Sequence, residues 1–565
     1  MDSESLFGKN LIALSQKNPE ISARLSGTGT TVSRYLFQES RTGEKIPAWI
    51  DPQGKSHPLH SLVDPKREAK RLIESTGSDG FLIFLGLGGG HYVEAALERE
   101  DTGMTLVVEY DINGLAGLLR SRDYTRLFAD SRFRLTVDAS ARELEEIILN
   151  LYQPVLHGGI RTIPLRARTG LEAELFASAS GAISSAIDRI SADYSVQAHF
   201  GRRWLSNIVR NLKVAEDADH NVTEIDRSAV CAAGPSLSLQ IPLLREKREG
   251  LFIIATDTSL PCLLNESLTP DAVISIDCQH ISYYHFMDGL PEDIPLFLDL
   301  ASPPLLASRS KRPFFFTGGH PLTRYISQNW KPLPELDTSG GNVTYAALSL
   351  AGLLGACEIE LYGADFSYPA GVSYARGAYI HSLFAKYQNR LCPLEAQNSS
   401  FLYRTPLEKK HLSQPGNSAD HWYYETKTLS FYRKKLEEKC HLMEAKLIPV
   451  PGLGAPISTG QVKNTRQNPG VISGVRRFPA NKATVKAEDF LSGYRDAINR
   501  LPMPQKSAAF YLASLDAKGR AVFTTMLPVA AAIKRRQAKA TFCELIEETK
   551  AHCVREIDAA LSFSF

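Results

Sequence analysis

Glycine-opened turns and lone carboxylates carry most of the chemistry that this chain can offer. "AVCAAGPSLSLQIPLL", Ala229–Leu244, reads as a short apolar strand that ends at Gly234-Pro235-Ser236 and passes into apolar helical spacing. Glycine allows a sharp turn and close approach of a ligand. Proline at a first helical position gives up an N–H that would be unpaired there anyway. The remaining N–H groups at the positive end of the helix dipole suit a phosphate or a carboxylate. A plain strand-to-helix turn needs the same residues.

A second such joint opens "TSGGNVTYAALSLAGLLGACEIELYGADFSYP". Ser339, Gly340, Gly341, Asn342 and Thr344 precede or begin a helix whose apolar face is Val343, Ala346, Ala347, Leu350, Leu353 and Leu354. Asn342 or Thr338 suits the cap. Two joints at one sheet edge can cradle a nucleotide phosphate and its sugar, with Asp365 after the next strand in reach. "FIIATDTSLPCLL" places Asp257 and Thr258 at a strand end, and "PDAVISIDCQH" places Asp277 at another. Such carboxylates can hold Mg²⁺, orient ribose, act as a general base or cap the following helix. His280, His285, His320 and His381 fall in loops, and spacing does not choose among them as a base.

These residues need strands to hold them. "SAVCAA", "LFIIATD", "AVISID", "PLFLDL", "PFFFTG", "EIELYGAD" and "AKLIPVPG" are nearly continuous apolar runs, as buried parallel strands require. Ends at Asp257, Asp277, Gly318 and Asp365 put polar groups at the carboxyl edge, where ligands of open α/β sheets bind. Upstream, "GFLIFLGLGGGHYVEAALER" and "MTLVVEYD" form a Rossmann-like βαβ opening. Gly86, Gly88 and Gly90 make its turn, and Glu109 lies about 20 residues on, the spacing of a nucleotide or S-adenosylmethionine site; glycines at such a turn also serve helix-on-strand packing alone. Between the two regions, "SVQAHFGRRWLSNIVRNLKVAED" sets Trp204, Ile208 and Leu212 on one helical face with Val209 beside them.

The expected fold class is α/β and multi-domain. Residues 1–190 form the N-terminal domain, 191–455 the central α/β domain, and 456–565 a linker with a helical C-terminal region. "ISTGQVKNTRQNPGVISGVRRFPAN" reads as the linker. "KAEDFLSGYRDAINRL" and "AKATFCELIEETKAHCVREIDAALSFS" are amphipathic and carry no evident chemistry.

The 565 residues suffice for three or four domains at roughly 100–200 residues each. A net charge of +2 points away from nucleic acid as a partner. Eight cysteines without CxxC or zinc spacing read as reduced and structural, which predicts a cytoplasmic protein. "MDSESLFGKNLIALSQ" lacks a signal-peptide core, and no run reaches the ~18 apolar residues of a membrane span, so no membrane partner is expected.

"AAGPSL", "ATDTSLPCLL", "PDAVISID", "GGNVTYAALSLAGLLGACEIELYGADFSYP" and "FGRRWLSNIVRNL" together resemble the bacterial motility accessory factor (Maf) family. Its central domain is shared with archaeal MptE-like 6-hydroxymethylpterin diphosphokinases, and the likeness covers residues 195–450. "LHSLVDPKREAKRLIES" and "FLGLGGGHYVEAAL" resemble the N-terminal part of the same family. The resemblance implies a sialyltransferase-like central fold. It also implies transfer of a nonulosonic acid, such as pseudaminic or legionaminic acid, from a CMP-sugar to Ser or Thr of flagellin. The implied donor site comprises Gly234, Pro235, Ser236, Thr258, Ser339, Gly340, Gly341, Asn342, Thr344 and Asp365, with Asp257 and Asp277 as catalytic acids. Tyr345 or Tyr368 is placed to steady the leaving phosphate. The strand-end acids stand alone rather than in a DxD triplet, so no metal is expected to be required, although Mg²⁺ remains compatible. A Mg²⁺-dependent pterin diphosphokinase and a non-catalytic flagellin chaperone are the alternatives. The length of the flanking regions weighs against the first, and the intact glycine joints and strand-end acids against the second.

Overall fold

The computed structural model describes residues 3–28, 35–51, 53–218, 221–287, 289–412, 421–459, 475–477, 483, 485–504 and 507–562. By its contacts the chain divides into two units, one of Met1–Gly201 with Asn499–His552, the other of Arg202–Ile498 with Cys553–Phe565. The C-terminal helices Ala487–Arg500, Ala517–Arg536 and Phe542–Ser562 are thus shared out between the units. Most of the linker sequence lies outside the described residues. Of it, Val475–Arg477 pairs antiparallel with Asn221–Thr223.

The first unit is built on four parallel strands, β1 (Phe81–Leu85), β2 (Met104–Glu109), β3 (Phe133–Val137) and β4 (Ile160–Pro164), in the order β3-β2-β1-β4. Every residue of β1 is buried. Its period of two sends Leu82 and Phe84 into one core and Phe81, Ile83 and Leu85 into another, so helices cover both faces. Helix α1 (His91–Leu97) follows the glycine loop. Phe176, Ile183 and Ile190 of the 45-residue α2 (Ala173–Asp217) repeat every seven residues and close the second core. Tyr35–Glu39, Lys45–Ile50 and Ser56–Pro58 add a small antiparallel sheet.

All seven apolar runs of the central region are strands of one parallel sheet. They are β5 (Arg227–Cys231), β6 (Phe252–Thr256), β7 (Ala272–Ser275), β8 (Leu296–Asp299), β9 (Pro313–Phe316), β10 (Glu358–Tyr362) and β11 (Lys446–Pro449), in the order β9-β8-β7-β6-β5-β10-β11. Strand order reverses between β5 and β10, which makes that gap the topological switch point. Helix α3 (Leu237–Glu246) follows β5, and α4 (Val343–Leu353) lies against the sheet with Ala346, Ala347, Leu350 and Ala351 buried. Helices α5 (Tyr379–Tyr387) and α6 (Lys427–Cys440) belong to the segment between β10 and β11.

Candidate functional site

Four elements meet at the switch point. Gly234 N donates to Gly363 O at 2.8 Å. Ser236 donates twice to Asp365, from its backbone N at 2.8 Å and from Oγ at 2.5 Å. Leu453 N donates to Ser236 Oγ at 2.8 Å, and Ala455 N to Asp365 O at 2.9 Å. A Cβ on Gly234 would stand 2.4 Å from both Asp365 Oδ2 and Gly363 O, so glycine is required here for chain-on-chain approach. This corrects the expectation of free N–H groups at Gly234-Pro235-Ser236. The place of an incoming anion is taken by the protein's own Asp365 carboxylate. Helix α3 starts at Leu237, and Pro235 lies in the turn before it. Burial raises the pKa of Asp365, while the two bonds from Ser236 pull it back.

The flank toward β9 carries the strand-end acids. Asp257 is buried and its carboxylate is fully engaged: Oδ1 accepts from Thr258 N at 2.7 Å and Oδ2 from Ser275 Oγ at 2.7 Å. His285 Nδ1 lies 3.3 Å from the same Oδ2. Asp277 is partly exposed and accepts from Gln279 N at 2.9 Å. Burial raises its pKa, and the charge of Asp257 adds to the rise. A third acid, Asp299, ends β8. Burial pushes it up to about 6, against N–H donors from Ala301 and Gly318. Sequence reasoning missed Asp299 because "PLFLDL" reads as one apolar run; its place at the end of that run was the available signal.

Aromatic residues wall this crevice. The His285 ring packs on Tyr379 at 4.4 Å, and Tyr379 lies 6.1 Å from Tyr374. Burial raises both phenols, the negative field of Asp257 adds to it, and Arg404 opposes it. Tyr368 is raised by burial and lowered by Arg404 in the same way. None of Tyr374, Tyr379 and Arg404 was singled out in the sequence. Of the other loop histidines, His280 is exposed, and His320 Nδ1 accepts from Leu322 N at 3.1 Å as the cap of its own helix. Burial drives His320 down to about 3. His381, expected in a loop, lies in the first turn of α5, and its Nε2 is buried without a partner.

The second glycine joint is local. Asn342 caps α4 by accepting from Tyr345 N at 3.0 Å. A Cβ on Gly340 would fall 2.2 Å from the Tyr345 ring, and Gly341 has a φ of 72°. Tyr345 OH donates to Asp337 Oδ2 at 2.8 Å, and Ser339 Oγ to Asp337 Oδ1 at 2.7 Å. Burial would raise Asp337, but these bonds and Lys439 Nζ at 2.8 Å hold its carboxyl far below the usual range. Ser339 and Tyr345 are thereby engaged within the joint, while Thr344 is buried in the first turn of α4. Tyr432 of α6 ties the joint to the acids. Its ring edge stands 3.3 Å from where a Gly341 Cβ would be, and its phenol feels the charge of Asp277.

The N-terminal glycine loop is filled from inside, which corrects its reading as a cofactor cradle. Leu87 N donates to Glu109 Oε1 at 2.5 Å and Gly89 N to His60 Nε2 at 2.8 Å. Glu109, expected to grip ribose, is buried in an ion pair with Arg168, Nη1 to Oε2 at 2.9 Å. Arg168 also reaches Glu172 Oε2 at 2.5 Å. Added Cβ atoms would strike Leu165 at 2.6 Å from Gly86, His60 at 2.7 Å from Gly88 and Tyr124 at 2.9 Å from Gly90. The crevice between β1 and β4, where a nucleotide would lie, holds Leu165 and Arg168 instead.

Residues 202–371 match the family described as 6-hydroxymethylpterin diphosphokinase MptE-like. An uncharacterised Treponema pallidum protein is 34% identical over 159 residues, 27% of this chain and 54% of that protein, so the chain spans about half the length of this relative. A second from the same organism is 30% identical over 164 residues, 28% of this chain and 78% of its own length. The chain belongs to one family with this second protein and carries an MptE-like domain. A Maf glycosyltransferase structure from Magnetospirillum magneticum AMB-1 aligns over 99% of this chain and 96% of its own, with a TM-score of 0.53 at 14% identity. The whole chain therefore has the fold of that glycosyltransferase.

The MptE-like domain holds Asp257, Asp277, His285, Asp299, both glycine joints and Asp365, whereas Tyr374, Tyr379, Arg404 and Tyr432 lie beyond the matched residues. It also contains two clamps. Asn207 Nδ2 donates to Cys278 O at 3.0 Å and Ala301 O at 2.7 Å, and Asn211 Nδ2 donates to Leu300 O and Ser302 O at 2.8 Å each. These buried asparagines of α2 fasten the loops that carry Asp277 and Asp299. Here is a physical role for the polar positions of "FGRRWLSNIVRNL" beyond its apolar face. Among the described residues no group of three or more His, Cys, Asp or Glu is arranged to hold a metal ion. No helix among them is long and apolar enough to cross a membrane.

Proposed function

We propose that this protein is a glycosyltransferase that moves a nonulosonic acid from a CMP-activated donor to Ser or Thr of flagellin in the cytoplasm. The observation that carries the reading is the crevice at the carboxyl ends of β6, β7 and β8. Asp257, Asp277 and Asp299 follow or end these neighbouring strands, and the first two are grouped with His285 and half-buried tyrosines. It lies within the fold of a Maf glycosyltransferase. In this reading the α4 end of the crevice, Gly340 to Thr344, receives the donor phosphate, while Thr258 and Asp277 face ribose and sugar. Gly234, Ser236 and Asp365 hold the sheet edge from behind. A CMP-sugar already carries its leaving group, and buried N–H and O–H donors can stabilise the departing phosphate. Both Asp257 oxygens have protein partners, which supports transfer without a metal.

Calorimetry with CMP and mass spectrometry of flagellin from cells with and without the protein test the proposal. A Kd for CMP in the micromolar range is expected, together with loss of a glycan mass from Ser or Thr peptides in the deletion. Activity is expected to persist in excess EDTA. The MptE-like match favours one other reading, diphosphoryl transfer from ATP to 6-hydroxymethylpterin, for which Mg²⁺ is the usual partner. Turnover of that pair, with an unchanged flagellin glycan, would replace the first reading by the second.

A further inference from the structure

His285 is the one loop histidine of the central region that faces a carboxylate among the described residues. It lies in the turn His280–Phe286 after β7, is 7% exposed, and packs its ring on Tyr379. Its Nδ1 has no hydrogen-bond partner and stands 3.3 Å from Asp257 Oδ2. Asp257 is itself fixed by Ser275 Oγ and Thr258 N, so the carboxylate cannot swing away. Such an anion beside Nδ1 selects the tautomer with the proton on Nδ1 and leaves the lone pair on Nε2. The distance is within hydrogen-bond reach but the N–H is not aligned with the carboxylate, as is common before substrate is bound.

We propose that His285 is the general base of this crevice and that Asp257 is its positioning residue, a deepening that rests on the glycosyl-transfer reading. Nε2 takes the proton of the acceptor hydroxyl as its oxygen bonds to the anomeric carbon. The bond from that carbon to the phosphate oxygen breaks, and its electron pair leaves with CMP. The proton then passes from the imidazolium to solvent. Asp257, Asp277 and Tyr379 are the titratable groups that face His285. Of these only Asp257 lies within ion-pair distance of its ring, and the Tyr379 ring packs tilted against it. Asp277 is left free to orient the donor.

The test uses the full chain, CMP-pseudaminic and CMP-legionaminic acid as donors, purified flagellin as acceptor, and CMP binding as the control. H285A is expected to lower kcat by about 10²–10⁴-fold with the Kd for CMP within about threefold of wild type. Added imidazole should restore turnover, and more basic substituted imidazoles should restore more. D257N should lower kcat less and displace the pH profile. If H285A misfolds, H285Q keeps a polar side chain beside Asp257 and takes its place. Wild-type kcat in either variant overturns the proposal. So does a loss that imidazole does not recover in a folded, CMP-binding variant, since that marks a structural role. A wild-type protein that binds no CMP and turns over neither donor ends the transferase reading itself, and the assigned base with it.

Discussion

The closed N-terminal crevice makes a sharp prediction about Arg168. Its side chain is inaccessible to solvent, Glu109 is 1% exposed, and the pair is 2.9 Å apart. R168M removes the cation and leaves the Glu109 carboxylate buried with N–H donors from Leu87 and Tyr110 only. Breaking a buried pair on one side costs about 3–5 kcal/mol. At roughly 2–4 °C per kcal/mol for a unit of this size, the first unit should melt about 6–20 °C lower. The double variant E109Q/R168M keeps an acceptor for Leu87 N and removes the Glu109 charge, leaving only the Glu172 carboxylate unpaired, so it should regain part of the loss. Differential scanning calorimetry of the full chain, with hydrogen exchange at β1 to assign the transition, measures both. A loss under about 1 kcal/mol in R168M, or a double variant no better than the single, would refute the structural account. Unchanged melting together with lost affinity for S-adenosylmethionine or a nucleotide would reinstate the cofactor reading of Gly86, Gly88, Gly90 and Glu109.

Acid should weaken the same unit. Burial lowers His60 to about 3 and His91 and His157 to about 4, so below pH 6.5 the unfolded chain binds protons that the folded unit does not. Each histidine then removes about 1.4 kcal/mol of stability per pH unit between pH 6.5 and its folded value. Urea midpoints at pH 7 and pH 5 should differ accordingly, and H91L, which deletes an imidazole with neither nitrogen paired, should flatten the slope. An identical slope in H91L would count against this origin. In the central unit, G234A and G340A each force a methyl group into a contact of 2.2–2.4 Å and should cost about 1–3 kcal/mol in thermal melts. Unaltered melting of G234A with lost CMP binding would make Gly234 a ligand contact after all.

Strands and their carboxyl ends were legible because a buried parallel strand must be apolar along its length, which leaves polar residues conspicuous where it stops. Asp257 and Asp277 were found this way, and Asp299 yields to the same rule once β8 is bounded correctly. Pairings across long stretches of chain were not legible. Asp365 fills the Ser236 joint from 129 residues away, and Arg168 reaches Glu109 from 59 residues away. Local motifs cannot announce that their N–H groups are already taken, since a glycine turn reads alike with a phosphate or an aspartate on it. Choosing His285 over His280, His320 and His381 likewise needed the fold, which alone says which loop turns toward Asp257.

Asp365 can also be seen as a resident competitor. A carboxylate held by β10 against Ser236 acts at an effective concentration that no dissolved anion matches, because its translational freedom was lost when the chain folded. Orthophosphate in the medium is therefore expected to leave that joint untouched. Of the two glycine-opened turns at this sheet edge, the one before α3 is filled by the protein's own carboxylate, and the proposed donor phosphate is assigned to the other. A donor with a single phosphate loses nothing by that arrangement, whereas a chain of phosphates that spanned both seats would have to evict Asp365. On the glycosyl-transfer reading, the sheet edge would count phosphates before any side chain read a base or a sugar.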